Sequence, residues 1–291
     1  MDLFPDVLFF NMMNMLRSPL VFALLHLLQS SNAFQPCVTK NHRSHGLSSS
    51  ILKSTAGDVS PLVQFEQAKQ SLVQSCKTSD PSLDVIRSKV QALEDISELV
   101  GIGQASASSG LLSGEWECIY SKEDVTRTSP FFWAFRRAFP EQSDQIFSIT
   151  DAIPAPIKEV GPAIQTIDMN AKTLVSRVKV ATLGGLATSI MTTRCTIEGE
   201  QGLEGIRLKV ETTKPEDSTV LQKLGPLGSF LNDNSKPFPS GEALEKVVEG
   251  SSRVCMVTTF CDEGLRVSRN QDQYNDVFVW TRKSFGDGME F

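Results

Sequence analysis

The chain has 291 residues, with 34 acidic and 28 basic side chains and a formal net charge of −6. A chain with this acidic balance does not attract nucleic acid or an anionic membrane surface through bulk charge, so no nucleic-acid partner is expected. Among its six cysteines, no two have the C-x-x-C spacing of a zinc or redox motif.

The first 57 residues are predicted to be a two-part targeting sequence. A short apolar run, PLVFALLHLL (19–28), follows Arg17 and leads into small residues up to Ala33. This pattern is typical of a signal peptide over 1–33 that is cleaved after Ala33. Residues 34–57, which begin with Phe34, contain bases, Ser and Thr but no acid, as transit peptides do. The junction NAFQP resembles the bipartite plastid presequence of algae with secondary plastids. The alternatives are a secreted protein with a polar linker and an uncleaved anchor.

Removal of this segment changes which chemistry the chain can perform. Residues 1–57 carry two acids, four bases and all three histidines, so the remaining chain has a net charge of −8. Without histidine, Ser-His-Asp and Cys-His catalysis and histidine-ligated metal sites are excluded. An enzyme would then have to use carboxylates, Lys, Tyr or a cofactor, so catalysis is less expected. Our expectation is a chain with no catalytic residue, no metal and no cofactor. The cysteines are expected to be small buried side chains, with a thiol switch of Cys255 and Cys261 as the alternative.

Two helices are predicted next, at 62–72 and 83–100, and they form an N-terminal helical hairpin within residues 58–100. In the second helix, apolar residues recur at helical spacing after the start signal Asp80-Pro81. The segment GIGQASASSG (101–110) is expected to be a flexible linker because of its small and polar composition.

From residue 111 the apolar period changes to two, which predicts half-buried antiparallel strands. In TLVSRVKVAT, for example, Leu174, Ser176 and Val178 alternate with Arg177 and Lys179. Asp262-Glu263-Gly264 predicts a hairpin turn. Eight strands with short connections predict a mainly β fold, an antiparallel up-and-down barrel that can hold one small ligand. The strands are expected near 115–121, 163–168, 172–181, 186–198, 205–213, 252–261, 264–269 and 276–283.

Two segments interrupt the strands. SPFFWAFRRAF (129–139) is dense in aromatic residues, and we interpret it as a helix that plugs the barrel or packs on it. The alternative is that Phe131, Phe132 and Trp133 contact lipid, because exposed aromatic clusters mark membrane or ligand surfaces. Residues 215–250 form a second insertion, with a Pro- and Gly-rich loop and a helix at 242–249.

The two ends of the barrel carry matching signals for its closure. Gly114-Glu115-Trp116 opens the first strand, and Trp280-Thr281-Arg282 closes the last. Because the first and last strands of a barrel pair, Trp116 and Arg282 are expected to meet, and an arginine over an indole contributes roughly 0.5–2 kcal/mol. This pairing is similar to the G-x-W motif and terminal arginine of lipocalins.

A series of longer motifs carries a resemblance to one family. The motifs are LSGEWECIYS (112–121), PFFWAFRRAF (130–139), GPAIQTID (161–168), SIMTTRCTIE (189–198), LKVETTKPEDST (208–219), FPSGEALEKVVEGSSRVCMVTTFCDEGLRVSRN (238–270) and DVFVWTRK (276–283). With these motifs, residues 111–283, followed by a tail at 284–291, resemble the plastid lipid-associated proteins, also called the PAP or fibrillin family. One departure is Phe260-Cys261-Asp262, where Tyr-Leu-Asp is more typical.

The resemblance implies a lipocalin-like barrel at plastoglobules or thylakoids on the stromal side. Such a protein binds or coats carotenoids, prenylquinones or fatty-acyl lipids without catalysis, and no catalytic residue carries over. The alternative is an enzyme, or an accessory or scaffold subunit with a protein partner, in prenyl-lipid metabolism. Glu211 and Asp262 are the carboxylates that could act as bases in such an enzyme.

Three arginines, Arg253, Arg266 and Arg269, are candidate ligand contacts in the sixth and seventh strands. Alternation points Arg253 and Arg266 away from neighbouring apolar residues, which favours surface salt bridges with Asp262, Asp272 or Asp276. The alternative is that one arginine enters the barrel mouth and binds a carboxylate, phosphate or quinone oxygen. The hydroxyls that could bind a polar head group inside the barrel are those of Thr192, Thr193, Thr258 and Thr259.

Overall fold

A computed structural model describes residues 60–78, 81–151, 157–182, 185–219 and 236–283. The predicted signal peptide (1–33), transit peptide (34–57) and tail (284–291) lie outside these ranges, and so do Ala33 and Phe34. The centre of the 215–250 insertion also lies outside them. The predictions for these segments therefore remain predictions.

Within the described residues, eight antiparallel strands form one sheet that closes in a ring. Each strand pairs with the next in the chain, and β1 also pairs with β8. The prediction of a mainly β fold with eight antiparallel strands is confirmed. The strands are β1 (Gly114–Ser121), β2 (Lys158–Asp168), β3 (Thr173–Thr182), β4 (Ala187–Gln201), β5 (Gly205–Glu216), β6 (Arg253–Cys261), β7 (Leu265–Asn270) and β8 (Gln273–Arg282).

Strand β2 begins five residues before the predicted start at 163. The reason is a shift of its register against β3 between Val160 and Ala163. Gly161 and Pro162 lie inside this shift, and proline interrupts the hydrogen-bond ladder of a regular strand. The irregularity accommodates both residues, so pairing continues on either side of them.

Five α-helices accompany the ring in the described part of the chain. The predicted N-terminal hairpin is confirmed, because α1 and α2 pack against each other, and α2 has the predicted bounds. Helix α4 was not expected from the sequence, and a 3-10 turn at Val125–Thr128 precedes α3. The helices are α1 (Pro61–Cys76), α2 (Leu83–Val100), α3 (Pro130–Ala138), α4 (Pro140–Asp151) and α5 (Ser240–Val247).

The helical hairpin covers the outer face of the ring. Leu72, Ile86 and Leu93 are fully buried, and they share one apolar cluster with Phe260 and Val267 on the strands. This second layer of apolar residues lies outside β1, β6, β7 and β8, so these strands carry buried apolar residues on their outer face. In β7 both faces are therefore buried, and burial alone does not show which side chains point into the ring.

The expectation of a flexible linker at 101–110 is wrong. Ser106 is fully buried, and its hydroxyl donates to the carbonyl of Thr258 at 2.6 Å. The amide of Cys261 donates to the carbonyl of Gly103 at 2.9 Å, and that of Ala107 donates to Leu203 at 3.0 Å. Small residues permit this close approach, so the composition of the segment reflects docking on the ring and not freedom of the backbone.

Candidate functional site

The inside of the ring is identified by a contact that crosses it. Arg266 on β7 donates a hydrogen bond from Nη2 to Oε1 of Gln165 on β2 at 2.7 Å. Strands β1 and β8 lie between β2 and β7 in the ring, so this bond spans the interior. Residues that share a face with Arg266, such as Trp280 and Cys261 at paired positions, therefore belong to the inner face.

Arg266 is the most unusual residue of the inner face. Its exposure is 0%, and its guanidinium carbon lies 4.6 Å from the ring centre of Trp280 and 5.2 Å from that of Trp116. Among the described residues, Nε and Nη1 have no hydrogen-bond partner. Burial lowers the pKa of Arg266 to about 9. The site is thus a buried cation clamped between two indoles.

One end of the ring is closed as the sequence predicts. Trp116 and Arg282 are paired positions of β1 and β8, and the guanidinium carbon of Arg282 lies 4.2 Å from the indole centre of Trp116. All three guanidinium nitrogens of Arg282 donate to backbone carbonyls, those of Leu111, Ser113 and Glu263, at 2.6–2.7 Å. Arg282, Trp116, Arg266 and Trp280 form a continuous stack, and Trp116 and Arg282 meet as the sequence led us to expect.

Gly114 is part of this closed end because the absence of a Cβ atom leaves room for the side chain of Arg282. Its φ is +141°, and a Cβ atom there would lie 2.1 Å from Nη1 of Arg282. Only glycine tolerates such an approach together with this backbone conformation. The G-x-W pattern therefore has a local reason: the glycine admits the arginine that covers the tryptophan.

The opposite end of the ring is covered by residues 125–138, the 3-10 turn and α3, which we call the plug. Trp133 is 2% exposed, and its indole stacks on Phe278 of the inner face with a centroid distance of 5.9 Å. The carbonyl of Thr128 accepts a hydrogen bond from Nε2 of Gln165 at 3.0 Å. The interpretation of 129–139 as a helix that plugs the ring agrees with this geometry.

Phe131 and Phe132, the other aromatic candidates, are half-buried. Their rings contact each other at 5.2 Å, and Phe132 lies edge-on to Phe147 of α4 at 5.7 Å. Arg127 lies over the ring of Phe147 at 3.8 Å and pairs with Asp151 at 2.9 Å. These rings pack within the plug and α4, and Trp133 faces inward, so Trp133 is not available to a lipid surface in this arrangement.

The plug is fastened by ion pairs at its C-terminal end. Arg137 holds both carboxylate oxygens of Asp272, at 2.7 and 3.0 Å. Arg136 donates to Glu123 at 2.8 Å and to Gln273 at 2.6 Å. These contacts connect α3 to the β7–β8 turn and to the segment after β1.

A shallow depression lies beside the plug. Its wall is charged or polar except for Phe278, which belongs to the inner face. The lining residues are Lys122, Glu123, Arg127, Arg136, Gln273, Asp276 and Phe278.

The three arginine candidates lie in three different places. Arg253 is on the surface and pairs with Glu198 at 3.2 Å and Glu245 at 3.5 Å, not with the predicted aspartates. Arg269 lies on the outer face and pairs with Glu94 of α2 at 2.9 Å. The surface position expected for Arg266 is wrong, because the apolar side chains next to it face the helical hairpin and not the interior.

The threonine and carboxylate candidates also lie at different places in the structure. Thr193 lies inside the ring and accepts from the Ser129 hydroxyl at 3.1 Å. The Thr258 hydroxyl is buried, with no hydrogen-bond partner among the described residues. The Thr192 hydroxyl donates to Glu216 at 2.6 Å, and that of Thr259 donates to Glu94 at 2.5 Å. The two carboxylates are held elsewhere: Glu211 bonds Thr196 and Lys209 on the surface, and Asp262 bonds Lys69 and the amides of its hairpin turn.

The five described cysteines are free thiols. Burial raises the pKa of Cys118 to about 12 and of Cys261 to about 11, so both are neutral near pH 7. Cys255 and Cys261 are six residues apart on β6, which separates them by roughly 20 Å. A disulfide switch between these two is therefore excluded on geometric grounds.

The described residues include no group of three or more potential ligands placed around a metal position. None of the described helices combines the length and apolarity of a membrane span. The chain matches no protein-family model, no curated protein and no solved structure. The resemblance to plastid lipid-associated proteins therefore rests on the sequence motifs.

Gln165 is the main site residue that sequence reasoning missed. It links Arg266 to the plug, because Oε1 accepts from Arg266 while Nε2 donates to Thr128. A signal was present: in GPAIQTID, Gln165 shares a face with Ala163 and Ile167, where a polar residue breaks an apolar pattern. Buried polar residues on apolar faces need partners, and this one marks the site.

Proposed function

We propose that the chain is a non-catalytic, lipocalin-like binding protein that holds one elongated apolar molecule inside its ring. The observation that carries this proposal is the difference between the two ends. One end is sealed by Arg282 over Trp116, whereas the other is covered by the plug, whose Trp133 rests on Phe278 through stacking. A ring with one fixed seal and one separate cover suits uptake and release of a ligand.

The class and location of the ligand follow from the sequence motifs. We propose plastid lipids, namely carotenoids, prenylquinones or fatty-acyl lipids, at the surface of plastoglobules or stroma-side thylakoids. The two-part presequence and the PAP/fibrillin-like motifs support this location. A protein partner in prenyl-lipid metabolism remains the alternative role, and co-purification of one stoichiometric partner would favour it.

Binding is favoured over catalysis by the positions of the two candidate bases. Glu211 is half-exposed beside Lys209, and Asp262 is occupied by Lys69 and two backbone amides. Neither carboxylate belongs to the inner face. A lipid enclosed by the ring would therefore not meet either of them.

Titration of the purified protein with a carotenoid, plastoquinone and hexadecanoic acid tests the proposal. We expect saturable, stoichiometric quenching of tryptophan fluorescence by at least one of them. The chain has three tryptophans, so the Trp133→Phe variant shows whether the plug indole reports the binding. Absence of saturable binding, together with no partition into lipid droplets, contradicts the proposed function.

A further inference from the structure

The guanidinium of Arg266 is a buried charge without a counter-charge. No carboxylate of the described residues lies within ion-pair distance of it, and its one side-chain partner is the neutral amide of Gln165. The nearby thiols of Cys118 and Cys261 are neutral, since burial raises the pKa of both. An isolated buried ion is costly, and proteins retain such a group where a partner balances it.

The unused hydrogen-bond donors of this guanidinium lie at its edge and are buried with it. Trp116 and Trp280 contribute its aromatic contacts, at 5.2 and 4.6 Å, while Nε and Nη1 keep unused N–H groups. N–H groups at the edge of a guanidinium are the donors that bind carboxylate and phosphate oxygens. The guanidinium can therefore still donate hydrogen bonds to an anion, whereas the two indoles already provide its aromatic contacts.

Two hydroxyls of the inner face add unused hydrogen-bonding capacity close to this level of the ring. Ser176 pairs with Gln165 across β2 and β3, and Thr258 pairs with Ser268, two residues along β7 from Arg266. The hydroxyls of Ser176 and Thr258 are both buried, and neither has a hydrogen-bond partner in the part of the chain that the structure describes. Unmet polar groups on β3, β6 and β7 thus face one interior.

From this arrangement we infer that the ring binds a long-chain carboxylic acid, with its carboxylate on Arg266 and its chain directed toward the plug. The inference rests on the proposed function and names the ligand class. One buried cation balances one negative charge, which matches a carboxylate better than a phosphate dianion. The chain must run toward the plug because Arg282 seals the other end.

Binding at this position is coupled to the plug through Gln165. The same amide accepts from Arg266 and donates to the carbonyl of Thr128 in the plug. A carboxylate that takes the place of Gln165 on Arg266 removes one of the bonds that orient this amide. Uptake of the acid therefore requires, and promotes, withdrawal of Trp133 from Phe278.

The test compares hexadecanoic acid with its methyl ester, which has the same chain but no charge. We expect the wild-type protein to bind the acid about tenfold or more tightly than the ester, as a charge-assisted hydrogen bond implies. The Arg266→Gln variant loses this preference and still binds the ester. Arg266→Lys keeps the charge and retains part of the preference.

The matched control is Arg194→Gln, an exposed arginine on β4, which keeps the wild-type preference. Equal affinity of the wild-type protein for acid and ester overturns the inference but leaves the proposed function in place. Failure to bind either compound overturns both. Binding of hexadecyl phosphate as tight as that of the acid contradicts the assignment to a single negative charge.

Discussion

At the scale of single residues, the sealed end depends on how closely Arg282 approaches Gly114. The arginine reaches three backbone carbonyls and the face of Trp116 at once, and this position passes through the space where a Cβ of residue 114 would lie. Because all three nitrogens donate hydrogen bonds, any displacement of the guanidinium weakens or breaks these bonds. The seal and the glycine are therefore one structural feature.

The first prediction concerns Gly114→Ala. We expect its free energy of unfolding to fall by more than the roughly 1–3 kcal/mol that backbone strain alone costs, because Arg282 must also move. Gly110→Ala is the control: its φ is +77°, but nothing lies within 4 Å of its Cβ position. Urea denaturation measures both variants, and equal losses would show that Arg282 does not crowd residue 114.

At the scale of elements, the plug is a separate piece that fills one end of a ring formed by the strands. Its aromatic contacts lie inside, at Phe278, whereas its ion pairs lie at the rim, where Arg137 and Asp272 are each about one-third exposed. Exposed ion pairs contribute little to stability, about 1 kcal/mol or less. The rim contacts therefore affect opening of the plug more than overall folding.

The second prediction concerns this rim. We expect Arg137→Ala to increase the association rate of a lipid ligand by up to about fivefold, which corresponds to a loss of 1 kcal/mol from the closed state. Stopped-flow fluorescence with hexadecanoic acid measures the rate. Lys209→Ala breaks a similarly exposed pair with Glu211, far from the plug in the chain, and leaves the rate unchanged. An unchanged rate in Arg137→Ala would show that opening of α3 does not limit uptake.

At the scale of the whole molecule, a second hydrophobic layer covers one side of the ring. The α1–α2 hairpin shares an apolar cluster with the outer face of β1, β6, β7 and β8. The docked segment 101–110 and the pair of Arg269 with Glu94 add polar contacts between hairpin and ring. Hairpin and ring are therefore expected to unfold together, in one transition.

The third prediction concerns this joint unfolding. Leu93→Ala removes a fully buried side chain of α2, so the free energy of unfolding falls by about 2–5 kcal/mol. Leu99→Ala, in the same helix but at a side chain that is 71% exposed, changes it by about 0.5 kcal/mol or less. Circular dichroism reports the helices and tryptophan fluorescence the ring. If the two probes report unfolding transitions at different midpoints, the hairpin and the ring do not unfold as one cooperative unit.

The strands, the helical hairpin and the seal were predictable because their signals are local or follow from chain order. A period of two marks a strand wherever its faces differ, and α2 shows its helical period without reference to any other element. Trp116 and Arg282 could be paired because closure brings the first and last strands together. Small errors remained where two elements interact: the linker at 101–110 was predicted as flexible, and its burial comes from residues distant in the chain.

The sequence by itself therefore determined the mainly β architecture, the number of strands and the Trp116–Arg282 contact. The tertiary structure alone decided which face of each strand lies inside. All six residues of β7 are buried, because the helical hairpin covers one face and the interior of the ring receives the other. Alternation distinguishes two faces but does not identify the inner one when both are buried. For this reason the sequence placed Arg266 at the surface, whereas the side chain lies inside the ring against two tryptophans.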